Sequence, residues 1–184
     1  MRKRLHFLRT AISDRHVGAV TSSSKYVVKR TLKNLERRKL KRVVEYGPGN
    51  GVMTKELLKR LPSDGRLLAV ELNKNFVNVL NKISDQRLRV ILGKIQDIAP
   101  NLKKYNISRV DAVVSSIPFS LLSGAERDRV TRDTFNSLAP GGSFTIFHQY
   151  SRLMRTHLED YFKTVKVSFE PRNILPCFII HAQK

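Results

Sequence analysis

The stretch VVEYGPGNGV, Val43 to Val52, places glycines at Gly47, Gly49 and Gly51 and a glutamate, Glu45, two residues before the first of them. The β-branched pair Val43 and Val44 reads as the end of a buried strand, and the glycines leave a bare backbone directly after it. A strand, a glycine loop and a helix together form the arrangement with which α/β sheets hold nucleotides, at the carboxyl ends of their strands. A P-loop is excluded, because Val52 and Met53 follow where Gly-Lys-Ser/Thr is needed. A dinucleotide fingerprint, G-x-G-x-x-G, fits poorly because the third glycine comes one place early. Glu45 sharpens the choice. A carboxylate there repels a pyrophosphate and suits a ligand carrying a positive amine and a sulfonium, which describes S-adenosylmethionine. Glu71 ends the next apolar run, LLAVELN, roughly 20 places beyond the loop, where an acid takes both ribose hydroxyls. Two solvated strand-end acids are the plainer reading. The landing of both on adjacent strand tips favours the ligand.

Those residues need a sheet to carry them. Apolar strand-like runs at 42–46, 66–72, 87–92, 110–117 and 143–150 alternate with helical patterns at 52–61, 73–83, 95–105 and 126–138. That rhythm predicts βαβ units and a mostly parallel, Rossmann-like sheet with helices on both faces. The runs 165–170 and 176–182 read as a closing antiparallel pair. A helix over 25–39 precedes the first strand, capped by the TSSS run. Residues 2–13 form a basic amphipathic helix, with Leu5, Leu8 and Ile12 on one face and Arg2, Lys3, Arg4 and Arg9 supplying charge. Such a helix lies at a lipid interface or packs on its own domain with its charges in water, and the pattern serves both. The chain thus divides into residues 1–24, a basic helix and entrance loop, and a catalytic domain over 25–184.

Thirty-five Lys and Arg stand against 15 Asp and Glu in 184 residues, a formal charge of +20. Such a field attracts polyanions, either nucleic acid or an anionic membrane. No stretch approaches the roughly 20 apolar residues of a membrane span, and the start of the chain makes no convincing secretory signal. The expected place is the cytoplasm, peripheral on the inner face of the cell membrane. Cys177 is the single cysteine, which excludes an internal disulfide and a multi-cysteine zinc site, so no metal is expected.

The segments VVEYGPGNGVMTKELL, LLAVELN and VDAVVSSIPF together resemble the class I S-adenosylmethionine-dependent methyltransferases. FLRTAISDRHVGAVTSSS, VVSSIPFSLLS and EPRNILPCFIIHA resemble, more narrowly, the bacterial phospholipid N-methyltransferases, which are related to the ribosomal RNA adenine dimethylases. The resemblance covers nearly the whole chain. It implies a seven-stranded sheet with the last strand antiparallel. It implies methylation of the amine of phosphatidylethanolamine towards phosphatidylcholine, with S-adenosylhomocysteine as the other product, at a membrane bound through an N-terminal amphipathic helix. Relatives that methylate ornithine lipids leave the head group open. Carried onto this chain, the cofactor positions are Glu45, Gly47, Pro48, Gly49, Gly51, Glu71, Leu72 and Asn73, with Ile95, Gln96, Ser115 and Ile117 near the adenine and the fourth strand tip. Many relatives have Gly-Asp after strand three, whereas GKIQDI puts Lys94 there; Gln96, Asp97 or backbone alone remains to hold the adenine.

The acceptor side is read from strand ends four and five. A protonated amine needs a proton acceptor or a desolvating pocket before it attacks a methyl group. His148 and Tyr150, two apart at the end of strand five, are candidates, and ordinary packing or a surface tip is the alternative for each. Ser115 and Ser116 can hold the amine or a phosphate. Ser23, Ser24 and Tyr26 line the expected entrance, with Pro118, Phe119 and Arg172 as further substrate contacts. The rival is an RNA adenine N6-methyltransferase. Dimethylases of RNA carry Asn-(Ile/Leu)-Pro-(Tyr/Phe) after strand four, and here Ser116-Ile117-Pro118-Phe119 stands in its place. The amino group of adenine is conjugated with its ring, so an amide carbonyl that accepts its hydrogen bond matters, and Ser116 has only a hydroxyl. Those enzymes also usually carry a helical RNA-binding domain after the sheet, and this sequence ends just past its closing strands. RNA stays open as a partner on the strength of the charge.

Overall fold

The computed structural model describes residues 24–35, 39–149, 151–173 and 176–184. The expected amphipathic helix over 2–13, Ser23 and Tyr150 lie outside these residues. Seven strands form one sheet: β1 (Arg42–Tyr46), β2 (Arg66–Glu71), β3 (Leu88–Leu92), β4 (Val110–Ser115), β5 (Leu138–Gln149), β6 (Thr164–Glu170) and β7 (Cys177–Gln183). Their order is β3-β2-β1-β4-β5-β7-β6, with β1 to β5 parallel and β7 antiparallel to both its neighbours. The order reverses between β1 and β4, and open α/β sheets bind ligands at that reversal.

β1, β2 and β4 run through the middle with apolar residues on both faces, as expected of strands covered by helices on either side. Val44, Tyr46 and Val113 join one buried cluster with Ile95, Val130 and Met154. Val43, Ala112 and Val114 join the other, with Val27, Leu32, Met53 and Leu57. The first face is covered by α4 (Ile95–Ile98), α5 (Gly124–Ser137) and α6 (Met154–Glu159), the second by α1 (Lys25–Lys33) and α2 (Val52–Leu58), while α3 (Lys74–Leu80) follows β2.

Several elements depart from the sequence expectation. Helix α1 stops at Lys33, with Asn34 as its cap, rather than running to residue 39. The helix expected over 95–105 is one α-turn, Ile95–Ile98, followed by a 3-10 segment, Ala99–Tyr105, that carries Pro100 in its first turn and a non-helical Asn101. Proline lacks the N–H that would continue the α ladder. Strand β5 begins at Leu138, five residues early, and slips register against β4 between Val110 and Ala112. Helix α6 was not anticipated. Met154 and Leu158, four apart, are wholly buried, and each contributes about 1.5–3 kcal/mol by that burial.

Candidate active site

The loop after β1 lies against the turn after β4. The Gly47 N–H donates to the Val70 carbonyl at 2.9 Å, and the Ser116 N–H donates to the Tyr46 carbonyl at 3.0 Å. The Ser116 hydroxyl donates to the Gly47 carbonyl. Gly47 has φ +71°, and a Cβ there would stand 2.8 Å from Ile117 Cγ2, so only glycine fits. Gly49, at φ +56°, differs: a Cβ there would meet nothing within 4 Å. The crest of the loop is therefore open to a ligand, while its base is packed shut.

Two carboxylates sit at this crest on neighbouring strands, in which Tyr46 pairs with Val70. Glu45 is buried, and the Thr54 hydroxyl donates to its Oε2 at 2.7 Å. Burial pushes the Glu45 carboxyl up to about 8; the Thr54 hydrogen bond opposes this and the nearby Glu71 charge adds to it. Glu71 accepts three backbone N–H groups: Gly49 at 3.0 Å on Oε2, and Leu72 and Asn73 at 2.8 Å each on Oε1. Its carboxylate is thus tied to the glycine loop itself. Thr54 was missed by the sequence reading, although its place in the first turn of α2 is where a side chain can face back to the strand end.

The surroundings of the adenine position divide. Leu72 is 46% exposed and offers a flat apolar surface beside Glu71. Ile95 is buried in the core, so its side chain faces inward. Asn73 caps α3, its Oδ1 accepting from the Asn75 N–H at 2.9 Å. Gln96 donates to Glu126 Oε1 at 3.5 Å. Glu126 closes a capping box with Ser123 at the start of α5, and the Ser123 N–H and hydroxyl hold its carboxyl below the usual range. Near Lys94 the fold therefore brings in an acid from another helix, Glu126. Sequence proximity gave no signal of that.

On the acceptor side, Ser116, Ile117 and Pro118 line the turn after β4, with Pro118 exposed. The Ser115 hydroxyl is buried and accepts from the Ile117 N–H at 3.4 Å, so it shapes the turn. Phe119 is core rather than a substrate contact: its ring is fully buried and meets Phe144 edge-on at 6.4 Å, because the 3-10 turn Phe119–Leu121 folds it inward. His148 lies in β5 next to the last strand residue, Gln149. Ser24 caps α1, its Oγ accepting from the Val27 N–H at 3.4 Å, while its own N–H donates to Asn173 Oδ1 at 3.1 Å. Arg172 stacks over the Tyr26 ring, 4.5 Å to the centroid. Ser24 and Asn173, one from each of two segments that carry the narrower resemblance, thus meet in space, with Arg172 and Tyr26 beside them. Among the described residues no helix is long and apolar enough to cross a membrane.

A buried strand-end carboxylate, an open glycine crest and a second carboxylate on the adjacent strand tip form a cradle that suits a cationic nucleoside. Comparison with known proteins points the same way. A family model described as ribosomal RNA adenine dimethylase matches residues 22–123. An ornithine lipid N-methyltransferase from Singulisphaera acidiphila is 28% identical over 165 residues, covering 87% of this chain and 84% of that protein. The ribosomal RNA small subunit methyltransferase A of Mycoplasma mycoides is 25% identical over 114 residues, and the chain spans 41% of its length. The N-methyltransferase NodS from Bradyrhizobium japonicum, solved with S-adenosyl-L-homocysteine, shares the fold at TM-score 0.75 and 11% identity over 98% of both chains.

Proposed function

The chain belongs to the ribosomal RNA adenine dimethylase family, a class I S-adenosylmethionine-dependent methyltransferase family, and on that premise we propose that it N-methylates the amine head group of a membrane aminolipid. Phosphatidylethanolamine and ornithine lipid are the two acceptors of that class to be weighed. The family match ends at residue 123. It covers the cofactor half and the β4 tip and stops before β5, β6 and β7, where the acceptor enters. The match to the ornithine lipid enzyme continues through most of this chain, which supports a lipid acceptor over RNA.

The observation that carries the reading is the state of Ser116. Its proton goes to the Gly47 carbonyl, so towards the site it offers oxygen lone pairs and no amide. An alkylamine, which donates N–H and has a localised lone pair of its own, suits such an acceptor. Adenine's conjugated amino group needs stronger acceptors to localise its lone pair. The inward turn of Phe119 also removes the ring that would stack on a flipped base. RNA adenine remains the second reading, favoured by the family match and by the charge of +20.

S-adenosylmethionine supplies an electrophilic methyl on a sulfonium. Glu45 and Thr54 would meet its amino acid end, the Gly49 crest its approach, and Glu71 its ribose. The chain's own contribution would be placement: the tips of β1 and β4, stitched through Ser116 and Gly47, would hold the acceptor amine beside the methyl group. The buried surroundings of β4 and β5 favour the neutral amine, which is the attacking form. His148 and Tyr150 are the proposed proton acceptors or ammonium contacts at the β5 end. Residues 1–24 are the proposed membrane anchor, holding the enzyme on the inner face of the cell membrane.

Methyl-labelled S-adenosylmethionine tests this, offered with anionic vesicles containing phosphatidylethanolamine, with the same vesicles containing ornithine lipid, and with unmodified ribosomal RNA. Label in either lipid and none in RNA is expected. Label in RNA alone would overturn the lipid reading.

A further inference from the structure

Glu170 ends β6 with its side chain wholly buried, and two arginines converge on it. Arg172 grips it bidentately, Nε to Oε1 at 2.8 Å and Nη2 to Oε2 at 3.0 Å, and adds its own backbone N–H to Oε1 at 3.0 Å. Arg30 of α1 stands 3.6 Å from Oε2 and donates to the Phe169 carbonyl. The Arg172 hydrogen bonds hold the Glu170 carboxyl down at about 2 against the effect of burial. This carboxylate is therefore ionised throughout the working range. It still balances only one of the two guanidiniums, and Lys25 adds a third cation 5.3 Å from the Tyr26 ring.

The arrangement fixes Arg172 without using it up. Its plane is set by the carboxylate on one edge and by the Tyr26 ring beneath. Its other terminal nitrogen has no partner among the described residues, and 59% of the side chain is exposed. A guanidinium held in one orientation, with excess positive charge around it, is preorganised for a bidentate oxyanion. Its place matters as much. Glu170 pairs with Cys177, and the next residue, Phe178, pairs with Gln149 at the end of β5. Arg172 thus stands at the carboxyl edge of the sheet, the edge that holds Ser116. Three strand spacings, about 14 Å, separate β4 from β6. An arginine side chain and the atoms linking amine to anion in a head group reach across that gap from its two sides.

We propose that Arg172 binds the anionic group of the acceptor lipid, the phosphodiester of a phosphoethanolamine head group or the carboxylate of an ornithine one, and so selects zwitterionic aminolipids over simple amines. Glu170 and Tyr26 are positioning residues that hold it. This rests on the aminolipid reading above. A phosphate and a carboxylate present the same pair of oxygens to a guanidinium, so the structure assigns the shared chemistry and the experiment separates the sources.

The experiment compares wild type, Arg172→Gln and Arg172→Lys on phosphatidylglycerol carrier vesicles containing phosphatidylethanolamine, ornithine lipid or octadecylamine, an amine with no anion. For the zwitterion that is the substrate, Arg172→Gln raises KM about tenfold to a hundredfold, and Arg172→Lys gives a smaller rise. KM for S-adenosylmethionine stays at its wild-type value in both variants, which also shows that they fold. Octadecylamine shows no matching rise in KM, or is turned over by neither protein. Glu170→Gln repeats the Arg172→Gln pattern in weaker form. Whichever zwitterion shows the rise identifies phosphate or carboxylate. An unchanged KM for the zwitterion, or an equal rise for octadecylamine, overturns the proposal while leaving the aminolipid reading intact. Wild-type protein that labels no lipid overturns both, and an Arg172→Gln defect confined to RNA methylation reassigns the arginine to a nucleic acid phosphate.

Discussion

The two halves of the sheet's carboxyl edge are built differently. At the tips of β1 and β2 nearly every contact runs through backbone: Glu71 is held by three N–H groups, Gly47 by Val70, and Ser116 by Tyr46. At the rim formed by α1, β6 and β7 the contacts that orient the Arg172 guanidinium run between side chains, with Glu170 and with Tyr26. Backbone contacts keep their geometry through most substitutions, so the first half suits a cofactor that does not vary. Side-chain contacts are reset by single substitutions, so the second half suits the acceptor role proposed for it, which changes from one substrate to another. The family match, residues 22–123, takes in the first half together with α1 and stops before β6 and β7.

The comparison predicts separable defects. Charge reversal at Arg2, Lys3, Arg4 and Arg9 should have the largest effect, lowering affinity for anionic vesicles about a thousandfold or more at roughly 1 kcal/mol per residue. S-adenosylmethionine affinity should be untouched; sedimentation with vesicles and calorimetry read the two halves, and unchanged vesicle binding would remove residues 1–24 as the anchor. Gly47→Ala should cost about 2–4 kcal/mol, because a left-handed φ and a 2.8 Å approach to Ile117 add strain to overpacking. Thermal unfolding measures it, and a wild-type Tm would mean the loop relaxes freely. Glu71→Ala should weaken S-adenosylmethionine binding about tenfold to a hundredfold, through loss of the ribose contact proposed for it and of the bond that holds the Gly49 N–H. A wild-type dissociation constant by calorimetry would take Glu71 out of the site.

The smallest effect is a pH dependence. Glu45, pushed up to about 8 by burial, is protonated in the free protein at neutral pH and ionised when it meets a cationic ligand. Cofactor affinity should therefore fall by at most tenfold per unit as pH drops below about 8. The stability of the free protein should move the opposite way. A carboxyl raised from 4.5 to about 8 binds its proton more tightly in the folded state, so stability is greatest below about 4.5 and declines as pH rises towards 8. Glu45→Gln should flatten both profiles, and a pH-independent dissociation constant in wild type would contradict the role given to Glu45.

The same division decided what the sequence could reveal. The cofactor half was legible because its signals are local: glycines at fixed spacing, an acid two places before them, another at the next strand end. The strand alternation gave the sheet and its closing hairpin for the same reason. Phe119 could not be placed, since whether a ring after Pro118 points in or out depends on the 3-10 turn and on Phe144 across the core. Glu170 escaped notice because nothing local says that an acid in an edge strand is buried, that Arg172 turns back onto it, or that Arg30 packs beside it from far along the chain. Glu126 near Lys94 is another contact made by folding alone. Helix α6 carries the spacing Met154, Leu158, but six residues are too few for a periodic signal to stand out.

The central claim is that the β4 turn, with Ser116 bonded to Gly47, presents an alkylamine and not an adenine to the methyl group. One tube holding wild-type protein, methyl-labelled S-adenosylmethionine, aminolipid vesicles and ribosomal RNA tests it directly, with the label located by mass spectrometry. The account predicts label on the lipid head-group nitrogen. Label on the N6 of adenine, with the lipid unmodified, would contradict it.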